Sequence, residues 1–320
     1  MSHLTFEQRY VIAVMYQNGK KKSEIAAVLG RNKSVISREI NRNCDKRSGK
    51  YEADLAQRKC EKRHKEKVKK TKLTVDLKEY IDKLLVQKYS PEQISGTARR
   101  EDKPCVSPER IYQYIWTDKK QKGTLYLNLR TQGKRYRKRG SAKDKRGIIK
   151  DRVDISAREP VVEQRIRFGD LEIDTIIGKD HKGAIITVND RATGMLKMKK
   201  TQGKNAEILA ENVVKMLREW KPFLFTITGD NGKEFANHKT IAESLDINFF
   251  FARPYHSWER GSNENLNGLI RQYIPKKTDF DTISDQDIKQ IEEDLNNRPR
   301  KRFDFNSPLN MFNKKVAFVT

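Results

Sequence analysis

Three acidic residues in the second half of this basic chain have the types and surroundings to bind metal ions. Asp174 lies within LEIDTIIG, Asp230 follows FLFTITG, and Glu264 lies within WERGSNENLNGLIRQY. A carboxylate inside an apolar strand is costly to bury unless it is paired or bound to a metal. Mg²⁺ prefers oxygen ligands, and two Mg²⁺ ions roughly 4 Å apart can promote displacement at a phosphodiester. We predict that all three are catalytic and metal-binding residues; for Asp230, which precedes Asn-Gly, a plain turn is the alternative.

The stretch Trp258–Tyr273 offers two glutamates for the third position. Ser262 or Asn263 can cap a helix that continues through NLNGLIRQY. The apolar residues of that helix form one stripe, which should dock on the core: Leu266, Leu269, Ile270 and Tyr273. Glu264 falls on the opposite face, whereas Glu259 precedes the cap and lies in a loop. Glu264 is therefore the predicted ligand.

The helix face with Glu264 also carries Asn267, Gly268 and Arg271 at helical spacing. Arg271 follows Glu264 by two turns and could neutralise a nearby phosphate. A cluster of carboxylates would repel DNA unless a metal ion offset its charge. We predict that Asn267 and Arg271 bind DNA beside the metal ions.

The composition favours a polyanionic partner. Lys and Arg total 68 against 43 acids in 320 residues, a net charge of +25. Nucleic acid is the commonest partner of such a chain, although a generic RNA-binding protein would fit the charge equally well. Three widely spaced cysteines disfavour disulfides and cysteine-rich zinc sites. Neither a signal peptide nor a membrane-spanning apolar run is evident, so we expect a soluble intracellular protein.

The segment SEIAAVLGRNKSVISREI predicts a helix capped by Ser23, a tight turn at Gly30 and a second helix capped by Asn32. The outward stripe of the second helix is short and polar, and its donors suit base edges and phosphates. An ordinary solvated helix face is the alternative. The residues of this stripe, predicted to bind DNA, are Ser34, Ser37, Arg38 and Asn41.

Two S-P-E-x-I motifs predict the consecutive helices of a second helix-turn-helix. Ser90 and Ser107 act as N-caps, and Pro91 and Pro108 occupy the first helical positions. Arg110 lies on the outward face of the second of these helices and is predicted to contact DNA.

Two strongly basic segments separate the predicted domains. Residues 56–72 hold nine Lys or Arg and form either a solvated helix or a phosphate-contacting linker. Residues 129–150 hold ten basic residues without an amphipathic period, which indicates an extended or disordered linker along a phosphate backbone. The basic residues of this linker predicted to bind DNA are Arg135, Arg137, Lys138 and Arg139.

The final part of the chain has the pattern of a mixed sheet. Five apolar segments and three helical patterns alternate as strand, strand, strand, helix, strand, helix, strand, helix. We therefore predict an α+β multi-domain chain with N-terminal all-helical helix-turn-helix units and a mixed α/β core. The predicted regions are a helix-turn-helix domain at 1–50, a linker at 51–72, a second helix-turn-helix domain at 73–120, a linker at 121–155 and a core at 156–320.

The triad resembles the Asp-Asp-Glu triad of transposases and retroviral-type integrases, with 33 residues between Asp230 and Glu264. Arg271 also fits the basic position seven residues after the Glu in that superfamily. Over nearly its full length, the chain resembles transposases of the insertion-sequence-thirty family of bacteria. The segments that carry the resemblance are LTFEQRY, SEIAAVLGRNKSVISREI, YSPEQI, RFGDLEIDTIIG, TGDNGKEF, PYHSWERGSNENLNGLIRQYIPKKTDF and LNNRPRKRFDF.

This resemblance implies a ribonuclease-H-like catalytic core with two Mg²⁺ ions, for which Mn²⁺ can substitute. It implies helix-turn-helix domains that bind the terminal inverted repeats of double-stranded DNA. The expected chemistry is hydrolysis at the element ends, followed by attack of the 3′-hydroxyl on a target strand, through a circular or tandem-ended intermediate. A homodimer or higher homo-oligomer on DNA, in the bacterial cytoplasm and associated with the nucleoid, is also expected.

The chain departs from the family pattern near the first acid. Asp170 and Leu171 stand where the family has Trp and His, and Asp174 is preferred as the ligand because it lies two residues after Glu172. His256 could contact DNA, order the active site or be structural. The competing functions are a non-catalytic DNA-binding regulator, disfavoured by the three acids, and a nuclease for RNA–DNA hybrids, which would not need two DNA-reading units.

Overall fold

A computed structural model describes residues 3–66, 72–132, 149–203, 205–253, 256, 259 and 261–316. The chain divides into two compact units, Met1–Thr71 and Lys72–Thr320. In the described ranges, no helix is long and apolar enough to cross a membrane.

The first unit is a helical bundle whose elements follow the capping signals of the sequence. Thr5 and Gln8 form a capping box at the start of the first helix, and Asn32 caps the third. Ser23 is not a cap, because the second helix already begins at Lys22, after Lys21. The helices are α1 Phe6–Gln17, α2 Lys22–Val28, α3 Lys33–Asn43 and α4 Ala53–Glu66. Their shared core contains Ile12, Ile25, Ile36, Ile40, Tyr51 and Ala56.

Helix α4 covers the described part of the first basic segment. Ala53 and Ala56 are buried in the core of the first unit, while Arg63 donates hydrogen bonds to the Arg42 carbonyl and to Asn43. The described residues of this segment therefore form a solvated helix that packs on its unit through one face.

The second unit begins with three helices around an apolar cluster. Ser90 and Gln93 form the expected capping box, and Ser107 caps the next helix, so both S-P-E motifs are confirmed as helix starts. Tyr112 and Trp116 pack against the cluster, which identifies them as core residues. The helices are α5 Val75–Val86, α6 Pro91–Arg100 and α7 Pro108–Lys120.

The rest of the second unit is built on a five-stranded mixed sheet with the predicted element order. The strands are β1 Asp170–Ile177, β2 Ala184–Asp190, β3 Leu196–Thr201, β4 Thr226–Gly229 and β5 Asn248–Phe251. Their spatial order is β3-β2-β1-β4-β5. The first three strands pair antiparallel, whereas β1, β4 and β5 are parallel. The helices are α8 Val161–Gln164, α9 Ala206–Leu217, α10 His238–Leu245, α11 Gly261–Ile270, α12 Asp285–Asn297 and α13 Pro308–Val316.

Helices cover both faces of this sheet. Helices α9 and α10 pack against Ile173, Ile186 and Ile227, whereas α11 and α12 pack against Ile176 and Ile185. Successive side chains of a strand point to opposite faces. The even-numbered residues of β1 therefore share the α11 side of the sheet.

The three-helix cluster docks against the segment that follows α12. Gln93 Nε2 donates to the Pro299 carbonyl at 2.5 Å, and Arg298 Nε donates to Gln93 Oε1 at 3.0 Å. A methyl group built on Gly96 would lie 2.3 Å from the Phe305 ring. A glycine is therefore required where α6 meets this segment. The predicted boundary between a helical domain and a core, within this unit, remains a prediction.

Residues at both ends of the second basic segment are packed. Leu129 belongs to the apolar cluster of the three helices, and Ile149 belongs to the core of the sheet. Arg135, Arg137, Lys138 and Arg139 lie outside the described residues.

Candidate functional site

Two of the three predicted acids belong to neighbouring parts of the sheet: Asp174 lies in β1, and Asp230 directly follows β4. Parallel β1 and β4 pair with Glu172 opposite Thr228. Asp174 and Asp230 each follow this pair by two residues, so the pairing directs both acids toward the same edge of the sheet. Asp174 shares the β1 face that is covered by α11. Both aspartates are partly exposed.

Helix α11 is held against β1 by polar contacts as well as apolar ones. Asn267 Nδ2 donates to Asp174 Oδ2 at 2.7 Å, and Asn263 Nδ2 donates to the Ile173 carbonyl. Leu266, Leu269 and Ile270 are buried, as the apolar stripe predicted. The helix already begins at Gly261, so Ser262 and Asn263 lie inside it and are not caps.

Glu264 lies in the first turn of α11 and is exposed. Because Asn267 follows it by three residues and touches Asp174, the helix presents Glu264 beside the strand that carries Asp174. In the described part of the chain, no three His, Cys, Asp or Glu side chains are gathered closely enough to hold an ion. The donor set nevertheless suits a hard divalent cation, since all three side chains supply carboxylate oxygens.

Two neighbouring acids on the same face of β1 have different surroundings. Asp170 is 1% exposed and accepts hydrogen bonds from Arg167 and from Thr226 Oγ1. Glu172 is fully buried and forms an ion pair with buried Arg191 at 2.5 Å. Burial of charge demands such pairing. Asp170 and Glu172 are therefore structural residues of the core. Asp174 is the partly exposed acid on the β1 face that is covered by α11.

The loop after β4 brings a fourth carboxylate close to Asp230. The Gly232 amide donates to Asp230 Oδ1 at 2.9 Å. A methyl group built on Gly232 would lie 2.7 Å from the Glu234 carboxyl and 2.9 Å from Asp230 Oδ1. Glu234 is buried and accepts a hydrogen bond from Thr175 Oγ1 at 2.8 Å.

Glu234 was missed by the sequence analysis, and its only signal was an acid four residues after Asp230. The Asp-Asn-Gly segment is not a hairpin turn, because β4 is followed by the crossover to parallel β5. Asn231 fixes this loop, since its Nδ2 donates to the Ala252 carbonyl and its Oδ1 accepts from Arg152.

Glu259 has a structural partner. Its side chain is 9% exposed, forms an ion pair with Arg253 and accepts the Arg253 amide at 2.9 Å. His256 lies within the same turn, where its amide donates to the Arg253 carbonyl and its carbonyl accepts the Glu259 amide. Glu259 therefore braces the loop before α11, as its position outside the helix predicted.

Arg271 and Gly268 have contacts that helical periodicity does not predict. Arg271 donates to the carbonyls of Ile177 and Pro275, and burial lowers the pKa of its guanidinium. A methyl group on Gly268 would lie 1.9 Å from Arg130 Nη2. In this structure, Arg271 therefore stabilises backbone carbonyl groups, and the absence of a side chain at Gly268 leaves space for the Arg130 guanidinium. The phosphate contact assigned to Arg271 remains a prediction.

The outward stripe of α3 is accessible in the first unit. Ser34, Arg38 and Asn41 are exposed, and Ser37 is partly buried. The Arg38 guanidinium donates to the Ser34 carbonyl at 3.1 Å and to Ser34 Oγ at 3.2 Å. On α7, the exposed Arg110 donates to Gln113 at 3.0 Å. Arg38 and Arg110 would exchange these contacts within their own helices for contacts to a ligand.

Comparisons with known proteins cover the whole chain. Residues 1–43 match a family model described as a helix-turn-helix domain. The transposase for insertion sequence element IS4351 of Bacteroides fragilis is 53% identical, over 99% of both chains. The transposase InsI for insertion sequence element IS30A of Escherichia coli is 31% identical, over 100% of this chain and 85% of its own.

A comparison with solved structures finds a likeness over part of the chain. The catalytic core domain of BIV integrase covers 47% of this chain and 96% of its own, at 14% identity and a TM-score of 0.37.

Proposed function

The chain belongs to the insertion-sequence-thirty family of transposases, and from this membership we propose that Asp174, Asp230 and Glu264 carry its strand chemistry with bound Mg²⁺. As a transposase it binds DNA, cleaves it and transfers a strand. The observation that supports the assignment is the hydrogen bond from Asn267 of α11, one turn after Glu264, to Asp174 on β1, the strand that pairs with the end of β4 just before Asp230.

The three carboxylates would hold two divalent cations, Mg²⁺ or in its place Mn²⁺, by oxygen donors alone. The metal ions would lower the pKa of an attacking water and offset the charge that develops on the leaving oxygen. Glu264 is exposed and can change rotamer to approach the two aspartates.

The chain's own residues orient the acids. Asn267 holds one oxygen of Asp174, and the Gly232 amide holds one oxygen of Asp230. The pairing of Asp170 and Glu172 with arginines keeps two further negative charges from adding to the site.

We further propose that the outward stripe of α3 reads the terminal inverted repeats in the major groove, with Arg110 contacting DNA from α7. Recombination needs two element ends together, so the working form is at least a homodimer on DNA. Such a protein acts in the bacterial cytoplasm, at the nucleoid.

A labelled duplex that carries the inverted repeat found beside the gene tests the proposal. We expect cleavage and joining with Mg²⁺ or Mn²⁺ and none with EDTA. Asp174→Asn should abolish both reactions while the affinity for the duplex is retained. Specific binding without any strand chemistry, under all metal conditions, would instead identify a DNA-binding regulator.

A further inference from the structure

A cavity of about 370 Å³ lies where the three-helix cluster meets the sheet-bearing part of the second unit. Its size lies within the usual range of ligand sites, about 300–1,000 Å³. The segments around α6, the residues before and after Leu129, one side of α11 and the segment after α12 all line it. The charged lining residues are Lys88, Glu92, Arg130, Arg298, Arg300, Lys301 and Arg302.

Among the described residues that line this cavity, six are cations and one is an acid. That acid, Glu92, is already engaged, since Lys301 Nζ lies 2.6 Å from its carboxylate. Lys88 donates to Asn128, and Arg130 donates to Asn265, both neutral side chains. The acid of the lining therefore neutralises only part of the positive charge of the lining residues.

The most buried of these cations has neutral partners. Arg298 is 2% exposed, and its guanidinium donates to Gln93 Oε1 at 3.0 Å and to Gln272 Oε1 at 2.8 Å. Amide oxygens satisfy its hydrogen bonds without offsetting its charge. An uncompensated buried charge is costly. An anion that enters this cavity would therefore be attracted by the guanidinium of Arg298.

Arg300 adds an unused donor. Its Nη2 donates to the Leu295 carbonyl, but its buried Nη1 has no hydrogen-bond partner within the described residues. Burial and the neighbouring charges of Arg298 and Arg302 lower the pKa of Arg300 to about 9. A bound anion would satisfy that donor and relieve this repulsion.

The cavity adjoins the helix of the candidate active site. Arg130 donates to Asn265 at 2.8 Å and lies against Gly268, one turn after Glu264. One helical turn is a rise of about 5.4 Å. A strand whose phosphodiester is processed at the acids could therefore place a neighbouring backbone phosphate in the cavity.

We propose that this basic cavity binds a backbone phosphate of the DNA strand that is processed at the acidic site. The proposal rests on the proposed function for the identity of the ligand, and on the charges of the cavity for its chemistry. The cavity then sets the position of the strand along α11, between the three-helix cluster and the acids.

The test uses the full chain and the terminal-repeat duplex, in which single phosphates are replaced by neutral methylphosphonates. In the wild type, replacement at one or two positions near the cut should weaken binding by roughly tenfold. The double variant Lys88→Gln, Arg130→Gln should bind unmodified duplex roughly tenfold more weakly. The slope of log affinity against log salt should fall by about 1 to 2. In this variant, replacement at the same positions should have no further effect.

Arg218→Gln is the matched control, because it removes an exposed positive charge at the end of α9. It should keep the methylphosphonate pattern of the wild type. If the double variant also keeps that pattern, the cavity does not hold the phosphate. The proposal then fails even where the wild type cleaves DNA with Mg²⁺. Absence of cleavage by the wild type would overturn the proposed function instead.

A second arm distinguishes DNA from a free anion. Inorganic phosphate should compete for duplex binding only weakly, because a single phosphate lacks the flanking contacts of a strand. If inorganic phosphate raises the melting temperature of the wild type but not of the double variant, and the methylphosphonate pattern is identical in both, the cavity is a free-anion site. That result would overturn the assignment to DNA.

Discussion

At the scale of single residues, the surroundings of an acid decide its role. Asp170, Glu172 and Asp174 lie on one face of β1, and the first two are buried and paired with arginines. Asp174 accepts a hydrogen bond from Asn267 and is partly exposed. A cation can reach Asp174 from solvent, whereas Asp170 and Glu172 are enclosed in the core.

Glu172→Gln should therefore lower the stability of the protein, whereas Asp174→Asn should abolish its catalytic activity. The first removes one of the two carboxylates that pair with buried Arg191, while Glu163 remains, and should lower the free energy of unfolding by about 1–3 kcal/mol. The second should change it by less than about 1 kcal/mol while cleavage is lost. Urea unfolding together with a cleavage assay measures both. If Asp174→Asn unfolds the protein, Asp174 has a structural role.

Substitutions of the two glutamates around the start of α11, Glu259 and Glu264, should also have different effects. Glu264→Gln should abolish strand chemistry and leave end binding intact, since an amide is a poor ligand for Mg²⁺. Glu259→Gln should retain activity within roughly tenfold, because glutamine can still accept hydrogen bonds from Arg253. Cleavage rates at saturating protein compare them. Equal losses would contradict the placement of Glu264 at the site.

At the scale of elements, α6 is positioned by a close approach that only glycine allows. Gly96→Ala places a methyl group against the Phe305 ring, so one of the two segments must move. We expect a loss of about 1–3 kcal/mol in the free energy of unfolding. Gly261→Ala is the control, because nothing lies within 4 Å of its added methyl group. Equal stability of the two variants would show that the contact between α6 and Phe305 is not required.

The turn between β2 and β3 contains a buried carboxyl group whose contribution to the free energy of unfolding depends on pH. Asp190 accepts hydrogen bonds from the amides of Gly169 and Thr193 and from Thr193 Oγ1. Burial nevertheless raises its pKa to about 6. Its contribution to stability is therefore fully present below the unfolded pKa, about 4, and is lost as the pH rises through about 6.

Comparison with Asp190→Asn isolates this effect. Between pH 4.5 and pH 7.5, the wild type should lose about 2 kcal/mol of unfolding free energy relative to the variant, at about 1.36 kcal/mol per pKa unit. Urea unfolding at both pH values provides the measurement. A difference that is independent of pH, or of opposite sign, would contradict the raised pKa.

At the scale of the whole molecule, the two units carry separable tasks. The first unit presents the polar stripe of α3, and the second carries the acids. Arg38→Ala should weaken end-specific binding by roughly 1–3 kcal/mol, while strand transfer from pre-cut ends at high protein concentration survives. Footprinting measures the first and product analysis the second. Arg58→Ala, an exposed charge on α4, is the control. An unchanged footprint for Arg38→Ala would place end recognition in the second unit.

The sequence by itself determined the local elements and the class of protein. Capping signals at Asn32, Ser90 and Ser107 correctly marked three helix starts. Periodicity yielded the strand and helix order of the mixed sheet, and the family resemblance is confirmed by relatives that match nearly the full length. Such signals are readable because caps and amphipathic stripes depend on residues that are only a few positions apart.

Only the tertiary structure decided how these elements use their polar side chains. Helical angles placed Asn267 and Arg271 on the face of α11 that carries Glu264, but they did not identify Asp174 as the partner of Asn267 or the Ile177 carbonyl as the partner of Arg271. The basic cavity depends on pairs such as Arg130 with Asn265, far apart in the chain. Periodicity describes one helix at a time and cannot specify which distant element will cover it. The partners of buried charges therefore emerge only when the elements pack.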